Sequence, residues 1–243
     1  MSKKKFDPFQ NLPCNLSIND STIDFYLRIN GLIEQNYVVL DYGAGRAGWY
    51  HDDENSLRKK IRLIKGKVKE LIAADIDSQV YENKACDRKI LINPNGKILL
   101  DNESVDLIFS DWTLEHINNT KVFTDEIKRV LKPNGWFCAR TPHKFSYWAL
   151  FSKLISNKHH SYFLNFIQPS RKKIDTFPTY YKLNTLNKIR QFFVGWENKS
   201  FIYPTDPSYF FNNKILFYIQ KFLHRIFYKE FSGTLFVFLK KKP

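Results

Sequence analysis

The stretch Val38-Val39-Leu40-Asp41-Tyr42-Gly43-Ala44-Gly45-Arg46-Ala47-Gly48 runs an apolar strand into a glycine-rich turn with a carboxylate just ahead of it. Gly43, Gly45 and Gly48 satisfy the spacing G-x-G-x-x-G, whose glycines permit a tight turn and let backbone approach a ligand closely. The spacing alone does not choose the ligand; the charge of Asp41 does. A dinucleotide places its pyrophosphate at such a turn and at the helix N-terminus behind it, where Asp41 would set like charges side by side. A cation reverses the sign. S-adenosylmethionine carries a sulfonium and an ammonium and no phosphate, and an acid at the strand end pairs with it through charge-assisted hydrogen bonds of about 1.5–3 kcal/mol each. The turn therefore points to a methyl donor.

Outward from this turn, short apolar runs alternate with polar, helix-compatible stretches, the pattern of a parallel sheet covered by helices. Five strands are expected over Tyr37 to Asp41, Val68 to Asp75, Lys89 to Ile92, Val105 to Ser110 and Gly135 to Arg140. Helices are expected over Thr22 to Gln35, Glu54 to Lys65 and Lys121 to Leu131, the last stopping at Lys132-Pro133-Asn134-Gly135. After Thr141-Pro142 the pattern is irregular until an amphipathic helix over Leu183 to Phe193. Strands are expected again at Glu197 to Tyr203 and Thr234 to Lys240, and between them Ser208 to Lys229 has helical periodicity. The whole reads as one domain: an N-terminal segment and helix over 1–36, a cofactor-binding core over 37–141, an insertion over 142–182, and a C-terminal part over 183–243 with a helical insertion at 204–232.

A chain of 243 residues with 43% hydrophobic content can bury a substantial core. No uncharged apolar run of about 18 residues exists and the start lacks a signal peptide's apolar segment, so a cytoplasmic protein is expected, with peripheral contact at the inner face of a membrane left open. Cys14, Cys86 and Cys138 lack C-x-x-C spacing, so neither a disulfide framework nor a metal site is expected. The net charge of +14 is unevenly placed. Residues 1–140 hold 21 Lys and Arg against 20 Asp and Glu, whereas 141–243 hold 17 against 4, and 26 of the 40 aromatic residues also fall in the second part.

The second strand closes on Asp75, an acid placed to accept both hydroxyls of a ribose lying across the sheet; Asp77 suits a helix cap better. Asp75 lies 27 residues past Gly48, farther than the roughly 20 of a nicotinamide fingerprint. The fourth strand stops at Asp111-Trp112, followed by Leu114-Glu115-His116-Ile117. Together, Val39-Leu40-Asp41-Tyr42-Gly43-Ala44-Gly45, Asp75-Ile76-Asp77, Ser104-Val105-Asp106-Leu107-Ile108, Leu114-Glu115-His116-Ile117 and Arg129-Val130-Leu131-Lys132-Pro133-Asn134-Gly135 resemble, in order, the class I SAM-dependent methyltransferase superfamily, of the type 11 kind. The resemblance covers residues 37 to 141.

It implies a Rossmann-like α/β fold: a seven-stranded, mostly parallel sheet with one antiparallel strand, helices on both faces, and helical insertions after strands 5 and 6. It also implies S-adenosylmethionine as cofactor, with Asp41, Gly43, Ala44 and Gly45 on the methionine part, Asp75 and Ile76 on ribose and adenine, and Asp111 and Trp112 beside them. The chain departs from the family at Asn93-Pro94-Asn95-Gly96, where many relatives carry an acid for the adenine amino group, and at Asn134, where glycine is usual. Plainer readings stand beside these: Asp41 as a helix cap, Asp75 as a solvated strand-end carboxylate, His116 as a packed histidine.

Methyl transfer needs no enzyme nucleophile, because holding acceptor and methyl in line can itself supply about 7–11 kcal/mol. A base is needed only where the acceptor must lose a proton. His143 leads, since Thr141-Pro142-His143 leaves the carboxyl end of the fifth strand, where ligands bind in open sheets; His116 and Asp111 are alternatives. Arg171-Lys172-Lys173, Lys182, Lys214, Lys221, Arg225 and Lys229 would draw an anionic acceptor, a nucleic acid or a membrane surface, or form only a solvated basic face. The helix near Ile215 to Phe227 reads as one broad apolar face with Lys221, His224 and Arg225 opposite, packed on its own domain ahead of lying in a membrane interface. Phe177-Pro178-Thr179-Tyr180-Tyr181-Lys182-Leu183-Asn184-Thr185, similar to a segment of bacterial relatives, would line an acceptor pocket or fix the insertion to the sheet. The expected activity is methylation of a small or lipid-linked, anionic acceptor, with a glycan or sugar hydroxyl foremost. The alternatives are an RNA methyltransferase and a catalytically silent SAM-binding, membrane-associated protein.

Overall fold

Helices lie on both faces of a mostly parallel sheet in a computed structural model that describes residues 6–52, 56–93, 95–147, 149, 177–207, 210–227, 231 and 233–243. The strands are β1 (Val38–Tyr42), β2 (Glu70–Asp75), β3 (Arg88–Leu91), β4 (Val105–Asp111), β5 (Leu131–Pro142), β6 (Glu197–Asn198), β7 (Phe201–Pro204) and β8 (Gly233–Lys240). Seven follow the order β3-β2-β1-β4-β5-β8-β6, and β7 lies off this path. β1, β2, β3, β4 and β5 pair in parallel, while β6 runs antiparallel to β8. The helices are α1 (Ser21–Leu32), α2 (Gly48–Asp52), α3 (Ser56–Arg62), α4 (Thr120–Val130), α5 (Leu186–Phe192) and α6 (Lys214–Ile226).

The chain divides into two compact units. The larger comprises Thr22–Thr141, Tyr180–Phe201 and Leu235–Pro243; the smaller comprises Met1–Ser21, Pro142–Thr179 and Ile202–Thr234. The two expected insertions fall largely in the smaller unit, together with the N-terminal segment.

In the larger unit, β1 and β4 are apolar in both directions because both of their faces are covered. One face receives α1: Phe25 sets its ring 5.6 Å from Phe236, and Tyr26 sits 5.9 Å from Phe109. The other receives α4, whose Phe123 meets Tyr42 at 5.0 Å and Phe137 at 6.0 Å. Asn119 caps α4 by accepting from Val122 N–H, and Phe123, Ile127 and Val130 point inward at helical spacing. Each is buried to 4% exposure or less, a burial of about 1.5–3 kcal/mol per side chain.

Two differences from the sequence expectation are informative. The Lys132-Pro133-Asn134-Gly135 segment stops α4 as expected, yet β5 already begins at Leu131 and absorbs it as a bulge: Val105 pairs with Leu131 and Leu107 with Trp136. Asn134 takes φ +64°, and a Cβ on Gly135 would lie 2.8 Å from the Asp106 carbonyl oxygen, so this crossing requires the glycine. The expected Glu197 to Tyr203 strand is split into β6 and β7.

In the smaller unit, α6 starts at Asn213, whose side chain accepts from Ile215 and Leu216 N–H. Its inward arc centres on Phe217, 2% exposed and contacted by Phe6, Phe9 and Phe210. His224 turns inward too, 9% exposed with Nδ1 2.9 Å from the Thr205 carbonyl, and burial lowers its pKa. It lies opposite Ile215, Ile219, Phe222 and Ile226 as the periodicity predicts, but on the arc that packs, while those four face outward.

Candidate active site

Three acids close three adjacent strands. Asp41 pairs in register with Ala73 of β2 on one side and Phe109 of β4 on the other, and two residues farther along those strands stand Asp75 and Asp111. All three therefore sit at the carboxyl edge of the sheet, where open α/β sheets receive ligands.

The glycine turn is tied to the end of β2. Gly43 and Ala44 N–H both donate to the Ala74 carbonyl, at 2.7 and 3.3 Å, and Gly45 N–H donates to Asp75 Oδ2 at 2.8 Å. Buried Asn83 adds a bond from Nδ2 to the Gly45 carbonyl at 3.1 Å. Gly43 and Gly45 take φ +79° and +50°, and the third left-handed residue is Ala47, φ +52°, rather than Gly48, which opens α2. A Cβ on Gly43 would come within 2.2 Å of Thr113 Oγ1, so the turn lies against the loop after β4. Gly43→Ala is expected to lower the thermal midpoint and weaken any ligand held by the turn, readable by differential scanning fluorimetry and calorimetry; a variant as stable as the parent would contradict this packing.

Asp75 also accepts Asp77 N–H on Oδ1 at 2.9 Å. A carboxylate offers about four lone-pair positions, so the backbone donors of Gly45, Asp77 and Ile76 leave some acceptor capacity for a ligand hydroxyl. Burial raises its pKa, and the N–H donors of Asp77 and Gly45 pull it back. Ile76 beside it is 64% exposed, an apolar face at the strand edge that suits a flat ring. In the loop after β3, Gly96 N–H donates to the Asn93 carbonyl at 2.7 Å.

Asp41 is held under electrostatic strain. Burial pushes its pKa well above the usual carboxylate range, the Asp111 carboxylate pushes the same way, and the Arg62 guanidinium opposes both. The surroundings thus penalise the anion and would favour a cation beside it.

Asp111 is gripped differently. Its register partner on β5 is Arg140, whose Nε and Nη2 reach Oδ1 and Oδ2 at 2.7 and 2.8 Å. The side chains are 3% and 9% exposed, and Tyr26 O–H adds a bond at 3.2 Å. Arg62 lies 3.6 Å from the same carboxylate, with its guanidinium 4.5 Å from the Trp49 ring centroid and 5.4 Å from that of Tyr26. Trp112, 40% exposed, follows at φ +57°, a costly conformation for an aromatic residue, with its ring centroid 5.4 Å from the Arg140 guanidinium.

His116 ends the short turn Leu114–His116, half-buried, while Glu115 points into the protein. Thr141 Oγ1 donates to Glu115 Oε2 at 2.7 Å, and Asn184 Nδ2 donates to Thr141 Oγ1 at 2.7 Å. Tyr180 and Tyr181 N–H both reach the Glu115 carbonyl, and Lys182 Nζ reaches the Asn118 side chain at 2.6 Å. From Tyr180 onward, then, this segment fastens to the loop after β4. His143 falls in the smaller unit, 3% exposed, its ring 5.6 Å from Phe145 and its carbonyl accepting from Ser146 Oγ. Arg171, Lys172, Lys173 and Lys229 lie outside the described residues.

Arg62, Tyr26, Arg140, Thr113 and Asn83 were not anticipated. Only Arg140 left a sequence signal: an arginine closing the apolar run Phe137-Cys138-Ala139 needs a buried counter-charge.

Residues 56–139 match a family model described as a methyltransferase domain. No curated protein matches the chain. Among solved structures, the fold is shared with a chain from the complex of the Haloferax volcanii Trm112 methyltransferase activator and a putative methyltransferase (14% identity, TM-score 0.55, 93% of this chain and 98% of that one). It is shared also with geranyl diphosphate C-methyltransferase from Streptomyces coelicolor (12%, 0.54, 91% and 80%) and with a putative sarcosine dimethylglycine methyltransferase from Galdieria sulphuraria (15%, 0.53, 90% and 84%).

Proposed function

We propose that this chain binds S-adenosylmethionine at the carboxyl edge of β1, β2 and β4 and transfers its methyl group to an anionic acceptor, a reading supported by the methyltransferase-domain match over residues 56–139. The observation that carries this reading is Asp41, a carboxylate held where its surroundings disfavour the anion, at the strand edge between Asp75 and Asp111 and beside a turn whose left-handed Gly43 and Gly45 put no side chain in a ligand's way. A cation relieves that penalty; a phosphate would aggravate it. The donor supplies a methyl group already activated on a sulfonium.

The residues fit such a ligand. Asp41 pairs with its cationic methionine end, which Gly43, Ala44 and Gly45 let approach the backbone. Asp75 accepts the ribose hydroxyls with its remaining lone pairs, and Ile76 covers the adenine. Asp111, locked by Arg140 and Tyr26, acts by positioning Trp112 and the loop behind it rather than by taking a proton. Where the acceptor is a hydroxyl, His143 is the proposed base, with His116 the alternative.

The acceptor is proposed to be small or lipid-linked, with a sugar or glycan hydroxyl foremost. What supports an anion is the charge asymmetry, 17 basic against 4 acidic residues after position 140. Calorimetric titration with S-adenosylmethionine should give a saturable heat that Asp75→Ala weakens by tenfold or more, on the order of one charge-assisted bond. Labelled-methyl transfer into fractionated cell extract should then reveal the acceptor, with His143→Ala retaining cofactor binding at lower turnover. A wild-type chain that takes up no S-adenosylmethionine would end the proposal.

A further inference from the structure

One helix of the smaller unit is apolar on two sides. The inward arc of α6 is already occupied, with Phe217 against Phe6, Phe9 and Phe210, and His224 on the Thr205 carbonyl. On the outward side, Ile215, Tyr218, Ile219, Phe222 and Ile226 are between 51% and 72% exposed. At 3.6 residues per turn these five share an arc of about 100° and run about 17 Å along the axis. Their upper part, with Lys214, lines a shallow open groove of about 480 Å³. Contiguous exposed apolar surface of this kind marks an interaction site rather than ordinary solvent-facing helix.

The charges name the partner. Lys214, Lys221 and Arg225 all fall on one flank of the stripe, next to Tyr218, and no acidic residue occurs between Asp206 and Glu230. No helix among the described residues is long and apolar enough to cross a membrane, and α6 has 13 residues. The geometry points to an anionic lipid surface as the occupant: α6 lies in the plane of the interface, its stripe in the acyl boundary, its three cations at the level of the headgroups and Tyr218 between them. This docking does not depend on the methyltransferase reading, since none of its residues belongs to the cofactor edge.

Vesicle sedimentation without cofactor tests it. Wild-type protein should sediment with vesicles of equal parts phosphatidylglycerol and phosphatidylcholine, less with phosphatidylcholine alone, and the anionic binding should fall as sodium chloride is raised. Replacing Ile219→Asp together with Phe222→Asp should reduce the partition coefficient at least about tenfold. Lys221→Gln and Arg225→Gln should each cost about fivefold on anionic vesicles and nothing on neutral ones. All these side chains point outward, so thermal midpoints should stay unchanged. Three results would overturn the inference: wild-type protein that does not bind anionic vesicles, an aspartate double variant that binds as well as wild type, or a dimer by light scattering that the aspartates dissociate, which would make a second copy the occupant.

Discussion

Arg140→Ala is expected to lower the thermal midpoint by roughly 10 °C. The reason is geometric. Asp111 and Arg140 face each other across the β4–β5 pair, both nearly excluded from water, joined by two bonds of 2.7 and 2.8 Å. Removing the guanidinium leaves a buried carboxylate with one phenol and a more distant Arg62, an imbalance that costs about 3–5 kcal/mol. Replacing both partners, as Asp111→Leu with Arg140→Met, should recover much of the loss, because an apolar pair of similar volume needs no counter-charge. Circular dichroism melts of the two singles and the double decide the matter. Equal loss in all three would mean that shape, rather than charge, holds this position.

Asp41→Asn is expected to move stability and binding in opposite directions. The folded pKa of Asp41 is raised, chiefly by burial. Stability linked to a raised pKa is fully present below the unfolded value and is lost as pH rises through the folded one, so the burial penalty on the charged form weakens the fold as pH rises toward neutral. The asparagine variant should therefore melt higher than wild type near pH 7, and the gain should vanish as pH falls below the ordinary carboxylate range. Affinity for S-adenosylmethionine should meanwhile drop roughly ten- to a hundredfold, the worth of one charge-assisted bond. A cation arriving beside Asp41 favours its anion, so wild-type binding should release a proton and strengthen from acid to neutral pH. Titrations in buffers of different ionisation enthalpy measure that proton, and its absence in wild type would remove Asp41 from the cation's vicinity. A site that sacrifices stability for ligand charge is the usual signature of function.

Much of this was legible because the relevant signals are local. Each of β1, β2 and β4 is an apolar run with an acid at or next to its last position, so the sheet's carboxyl edge and its three carboxylates could be placed from spacing alone. The glycine spacing misled in one detail. Gly48 satisfied the pattern, but the left-handed backbone falls on Ala47, a conformation alanine adopts at a cost of about 1–2 kcal/mol. Arg62, Tyr26 and Thr113 were invisible for a different reason: they arrive at the site from α3, α1 and a loop, and no sequence separation announces that such residues will converge. The apolar face of α6 was legible but its exposure was not, because periodicity reports that a helix has apolar positions, not how many neighbours claim them. The broad face expected over Ile215 to Phe227 lies outward, and the helix packs instead through Phe217 and His224 on the opposite arc.

Arg62 gives the cofactor edge a character that contact geometry alone does not describe. Sandwiched between Trp49 and Tyr26, this guanidinium already serves as counter-ion to Asp111 and Asp41. A cationic ligand does not meet bare carboxylates there; it enters as an ion enters a loaded exchange resin, by displacing part of a resident cation's hold. The net gain in charge pairing is smaller than the contacts suggest, so selectivity among sulfonium and thioether forms of the same ligand rests on how completely that exchange occurs. For the proposed ligand, release of the thioether product, which has lost the sulfonium charge, would then be assisted by a cation that never leaves the chain.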